Sequence, residues 1–189
     1  MKIHKKLENF LYYYKYHLLI IIFLIIVSFI FFKDLIKKPS YDYTIAIITS
    51  DAISEASLSL LNSFLCTKGY DINSDDTVKI NLVNYVLSDG SNANQTTIGL
   101  TQFISDWNTA DSMIYIYSDD VYNKYKDENI FNVNSNKTVK LNSFLSDISS
   151  ELSELNISLR IFDRTSSSFN NEKFQYYLNC KKLYENIIE

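Results

Sequence analysis

Glycine and proline are nearly missing from this chain, with three Gly and one Pro in 189 residues. That scarcity excludes collagen-like, Pro-rich and Gly-rich linker architectures. Histidine occurs twice, as His4 and His17. Everything beyond residue 40 therefore lacks a Ser-His-Asp or Cys-His arrangement and any imidazole for a metal. No G-x-S-x-G, Walker A or G-x-G-x-x-G string occurs either. Positive charge is scarce where the bulk of the chain lies. Residues 40–189 carry eleven Lys/Arg against twenty Asp/Glu, a balance of −9. An acidic globular part argues against nucleic acid, whose phosphates require a basic surface. What is abundant is aromatic: 15 Tyr and 12 Phe exclude a disordered, solvating chain.

The apolar run Leu18–Phe32 (LLIIIFLIIVSFIFF) has Ser28 as its one polar residue. Fifteen residues at ~1.5 Å rise reach about 22 Å, short of the ~30 Å hydrocarbon core, so the span extends back to Leu11. Tyr12, Tyr13, Tyr14 and Tyr16 suit the headgroup boundary, and Lys15 snorkels toward it. No small-residue cleavage site follows, which reads as an uncleaved signal anchor. The organisation expected is a short basic cytoplasmic tail over 1–10, a transmembrane anchor over 11–32, a linker over 33–40 and an extracytoplasmic domain over 41–189. Lys2, Lys5, Lys6 and Lys15 precede the span, and Lys33, Lys37 and Lys38 follow it. Four against three favours the N-terminus inside and the domain outside.

After Pro39 the pattern alternates strands with helices. Tyr43–Thr49 (YTIAIIT) and Met113–Tyr117 (MIYIY) are nearly unbroken apolar runs, as strands buried on both faces require. Val78, Ile80 and Leu82 alternate with Lys79 and Asn81, the mark of a half-exposed strand near a sheet edge. Ile157–Phe162 (ISLRIF) reads as a fourth strand. Helical stripes run through Ile53–Leu65, Leu100–Trp107, a short Val121–Lys126, Leu141–Leu155 and Phe174–Ile188. Gly69 stands where the first of these should stop. The order predicts an α/β fold: one open, mostly parallel sheet flanked by helices and preceded by a transmembrane helix.

The segments LENFLYYYKYHLLIIIF, TIAIITSD, DINSDDTVKINL, LTQFISDWNTADSMIYIY and ISLRIF, taken as a series, resemble uncharacterised membrane-anchored proteins of low-GC Gram-positive bacteria. The outer domain of that family is similar to one lobe of a type 2 extracellular solute-binding protein. The resemblance implies an α/β sandwich outside the cell and no defined ligand. The family turn D-x-N-x-D-G-x-V has Gly where this chain has Asp76.

Two groups of residues are candidates for chemistry. Asp71, Asn73 and Asp75 alternate like the start of a calcium loop, a weak Ca²⁺ site. The sixth position, however, holds Asp76 in place of Gly, and the twelfth holds Leu82 in place of a bidentate acid. A turn built on side-chain-to-backbone bonds accounts for the same residues. Open α/β sheets also bind ligands beyond the carboxyl ends of their strands. Those ends offer Ser50 and Asp51, Asp119 and Asp120, and Asp163 and Arg164. Such a rim suits a cationic or hydroxylated ligand, with Arg164 available for a carboxylate. Asp51 and Asp119 or Asp120 would equally serve as helix N-caps.

Cys66 and Cys180 could pair outside the membrane. Cys66 lies beside an apolar stripe, which favours a buried free thiol. No cofactor is implied, and no small-molecule ligand is identified. The function expected is a non-catalytic, membrane-integral binding module of a surface transport or sensing system, with another envelope protein as partner. A structural envelope-assembly protein is the alternative, and an enzyme acting through paired carboxylates the third.

Overall fold

Five strands form one mixed sheet in the order β2-β1-β3-β5-β4. They are β1 (Tyr43–Thr49), β2 (Ile80–Val86), β3 (Ile114–Tyr117), β4 (Val139–Lys140) and β5 (Asn156–Leu159). The computed structural model describes residues 12–17, 19–29, 40–87, 93–126, 133, 138–143 and 149–189. The chain divides into two units at Ser40/Tyr41. In the first, helix α1 (Tyr12–Phe29) is long and apolar enough to cross a membrane, about 27 Å at the α-helical rise. Leu11 and Phe32, the ends of the expected span, lie outside the described residues.

In the second unit, β1 pairs in parallel with β2 and with β3. Side chains of β1 alternate between two buried layers. Ile45 and Ile47 pack with Leu61 and Leu65 of α2 (Glu55–Lys68) and with Cys180, Leu183 and Ile187 of α6 (Asn171–Ile188). Ala46 and Ile48 pack on the other face with Phe103 of α3 (Ala93–Thr109) and with Val121 and Tyr125 of α4 (Asp119–Tyr125). A strand covered on both faces needs the unbroken apolar run that Tyr43–Thr49 supplies. β2 is the edge strand its alternation predicts, with Asn81 to Asn84 half-buried.

The mostly parallel sheet is corrected in its second half. β5 runs antiparallel to β3 and to β4, and β4 escapes a sequence reading because it is two residues long. The single helix expected over Leu141–Leu155 also does not form. Leu141–Ser143 is a 3₁₀ turn, α5 is confined to Ser150–Ser153, and residues 144–148 lie outside the described set. A continuous helix would hold Leu141 and Leu155 about 21 Å apart. Instead the Leu141 N–H donates to the Leu155 carbonyl at 2.9 Å, so the chain doubles back and β5 enters reversed.

Helix boundaries moved by a few residues, and capping explains how. Ser54, not Asp51, caps α2, its hydroxyl accepting from the Ser57 N–H at 3.3 Å. Asp119 and Asp120 sit within the first turn of α4, after Ser118 at the cap position. Gly69 closes α2 in extended conformation, not the left-handed one. It is glycine for space, since a Cβ there would lie 2.8 Å from Val78 Cγ1 and 3.1 Å from Tyr43 Cε2. Leu60, Ile104 and Ile188, assigned to apolar stripes, face outward.

Candidate functional site

Beyond β1 and β3 the chain leaves the sheet in opposite directions, into α2 on one face and α4 on the other. That divergence is a topological switch point, where open α/β sheets leave a crevice. Backbone bonds set its walls. The Ser118 N–H donates to the Ile48 carbonyl at 3.2 Å, placing the loop after β3 beside the end of β1. Ser50 then donates its hydroxyl to Asp120 Oδ2 across the gap. A cavity of about 290 Å³ lies here, lined among others by Thr49, Ser50, Asp51, Asp120, Glu151 and Glu154.

Ser50, Asp51 and Asp120 thus come together as expected of strand ends. Asp119 turns aside, accepting from Asn156 Nδ2 at 2.6 Å, with Lys140 Nζ 3.4 Å from its other oxygen. Asp163 and Arg164 do not join them. β5 is antiparallel, so its carboxyl end lies beside the amino end of β3, Leu159 opposite Ile114. There Asp163 accepts from the Thr165 N–H at 2.9 Å and hydroxyl at 2.6 Å, which closes a local turn, and Arg164 is exposed.

Glu151 and Glu154 are the members that sequence reading missed. Glu151 Oε2 accepts from the hydroxyls of Ser54 and Ser57, each at 2.8 Å, and Ser57 also meets Ser149 at 2.8 Å. The serine that caps α2 therefore also holds an acid from α5. These hydrogen bonds, the Ser57 one foremost, keep the Glu151 carboxyl below its ordinary range. Burial pushes Asp120 upward, but hydrogen bonding, the Ser50 bond included, outweighs it and the net direction is down. Both acids are ionised at neutral pH. Among the described residues, no Lys or Arg lies within ion-pair distance of Asp51, Asp120 or Glu151, while Glu154 has Lys140 at 3.1 Å. Among the described residues the crevice therefore carries an excess of negative charge.

The candidate calcium residues are engaged otherwise. Asp71 Oδ1 accepts from the Ser74 N–H at 2.7 Å, and Oδ2 from the Asp76 N–H at 2.7 Å. Asn73 Oδ1 accepts from the Asp75 N–H at 2.9 Å, and Lys79 places its ammonium on Asp75. Asp76 adopts φ 63°, the left-handed conformation that its Gly counterpart favours. In this conformation the Lys79 ammonium occupies one oxygen of the Asp75 carboxylate. Among the described residues no three His, Cys, Asp or Glu side chains converge as a metal cluster.

A second polar network lies at the amino end of β3. Asp106 is 6% exposed and accepts from the Tyr85 hydroxyl at 2.9 Å and from the Ser112 N–H and hydroxyl, each at 2.7 Å. Arg160 stacks 4.0 Å over Trp107 and donates to its carbonyl at 2.7 Å. These contacts knit α3 to β2 and to the segments flanking β3 and β5, and they leave the buried Arg160 Nε without a hydrogen-bond partner among the described residues. Cys66 and Cys180 are free thiols, with burial pushing Cys180 up to about 12. Asn156, one of three N-x-S/T acceptors, is buried. Comparison of the chain with protein-family models, with curated proteins and with solved structures found no match.

Proposed function

We propose that residues 41–189 form a non-catalytic binding module, held at the outer face of a membrane by α1 with the N-terminus inside. In this reading the module serves a surface transport or sensing system by docking another envelope protein. The acidic crevice at the β1/β3 switch point carries the proposal. Its volume is near the lower end of the roughly 300–1,000 Å³ of small-ligand pockets. A crevice of that size suits the tip of a Lys or Arg side chain better than a whole metabolite. General acid–base catalysis by these two acids is disfavoured by direction: Asp120 and Glu151 are both shifted down, away from the near-neutral value that role favours. The resemblance to one lobe of a solute-binding protein supports the same role, since one lobe encloses a ligand poorly.

The test is selection of displayed random peptides on the full chain in nanodiscs. A Lys/Arg-rich consensus is expected, with affinity falling about tenfold, or 1.4 kcal/mol, in Asp120→Asn/Glu151→Gln and falling also with added salt. Both substitutions keep an acceptor oxygen for the serines, so the walls persist. A consensus without basic residues, or binding indifferent to the double variant, overturns the reading. Topology is tested separately with an impermeant protease on intact cells, which should remove the domain.

A further inference from the structure

A second cavity, of about 650 Å³, opens at the amino end of β1, the end of the sheet away from the crevice. It is lined by Tyr43, Tyr70, Asp71, Ile72, Asn179 and Lys182. Its volume is within the range of small-ligand sites. Tyr43 forms the floor, buried, with its hydroxyl accepting from the Tyr70 N–H at 3.2 Å. Above it Tyr70 is 59% exposed, and Ile72 adds exposed apolar surface. The wall is rigid. Buried Asp42 accepts from the N–H groups of Ile72 at 2.8 Å and Asn73 at 3.1 Å, and Asp71 is held by the amides already described. Opposite, α6 presents the Asn179 amide and the Lys182 ammonium, neither with a side-chain partner among the described residues.

The mixture selects a ligand chemistry. An anion would face Asp71, and a cation would face Lys182. An apolar ligand would strip water from both charges without pairing either. A molecule with one apolar face and hydroxyls around its rim meets every group present. We propose that this cavity is a saccharide subsite: a sugar ring stacks on Tyr70, its hydroxyls donating to Asp71 and accepting from Asn179 and Lys182. The open setting limits affinity, because a shallow site leaves much of a ligand wet. The assignment is independent of the crevice at the other end of the sheet.

Saturation-transfer NMR on the full chain in nanodiscs, with chitotetraose, cellotetraose and maltotetraose as probes, tests it. Transfer to the ring protons of at least one probe is expected. Tyr70→Ala and Lys182→Ala should each weaken binding about tenfold, while Tyr70→Phe, which keeps the ring, should not. Tyr70 is mostly exposed, so these variants should still fold, read as an unchanged melting midpoint. Cosedimentation with purified cell-wall sacculi, lost in Tyr70→Ala, would assign the subsite to wall glycan, and binding of soluble probes alone would assign it to free sugars. No transfer to any probe, an affinity from titrated transfer that is unchanged in Tyr70→Ala, or stronger Tyr70-dependent binding of glutamate as a zwitterionic probe overturns the saccharide assignment.

Discussion

Ser50 donates its hydroxyl hydrogen bond to Asp120, tying the end of β1 to the first turn of α4 across 70 residues of sequence. That one bond closes the crevice at the switch point and helps keep its acid ionised.

Removing the donor should therefore be read at the acceptor. Burial raises the Asp120 carboxyl and hydrogen bonding more than reverses this, so its folded-state value is depressed. A depressed carboxyl contributes stability above its unfolded value of about 3.9 and loses it as pH falls through the folded value. Ser50→Ala should move the Asp120 midpoint upward in a carbon-detected carboxyl titration and make the acid loss of stability shallower. A wild-type Asp120 titrating at or above the ordinary carboxylate value would contradict the closed crevice.

Asp42 offers a larger effect. It is 3% exposed and accepts three backbone N–H bonds, from Ile72 at 2.8 Å, Asn73 at 3.1 Å and Lys79 at 2.8 Å. Asp42→Ala leaves three amides without their charged acceptor, and a hydrogen bond to a charged group contributes about 1.5–3 kcal/mol. A loss of about 3 kcal/mol is expected in denaturant unfolding, with faster hydrogen exchange at Ile72 and Asn73. A loss below about 1 kcal/mol would mean that water replaces the carboxylate.

Gly99, in the middle of α3, sets two principles against each other. Alanine gains about 0.8–1 kcal/mol of helix propensity. A Cβ there, however, would lie 2.4 Å from the Val86 carbonyl oxygen on β2, a backbone atom that cannot swing away. Overpacking costs about 1–3 kcal/mol, so Gly99→Ala should be net destabilising by about 1–2 kcal/mol, read as a lowered urea midpoint. A raised midpoint would show that α3 moves off β2 freely.

What could be read from sequence follows from how each element is buried. β1 and β3 were legible because strands covered on both faces need unbroken runs such as Tyr43–Thr49. The same double burial conceals direction. Asn156–Leu159 is equally buried whether it runs with β3 or against it, and its reversal puts Asp163 and Arg164 at the opposite end of the sheet from the crevice. Half of the crevice was legible for a local reason, since Ser50 and Asp51 directly follow β1 and Asp120 opens the helix just after β3. Glu151 was not, because its role depends on Ser54 and Ser57, more than 90 residues earlier. Ser54, the polar residue nearest the start of α2, was the signal available.

The turn before β2 supplies a pH measurement with its sign fixed by an ion pair. The Lys79 ammonium foremost, and then the Thr77 hydroxyl, hold the Asp75 carboxyl at about 2. The folded value is depressed, so the stability this acid contributes is present above about pH 4 and is lost as pH falls toward 2. The pair is exposed, and the effect on global stability should be small and salt-sensitive. The Asp75 titration itself should be displaced clearly, and Lys79→Ala should raise its midpoint toward the ordinary carboxylate value. The same geometry leaves calcium little to coordinate. Millimolar Ca²⁺ should leave the Asp71, Asn73 and Asp75 resonances unmoved, whereas a saturable shift at micromolar Ca²⁺ would require the Lys79 ammonium to have been displaced from a true site.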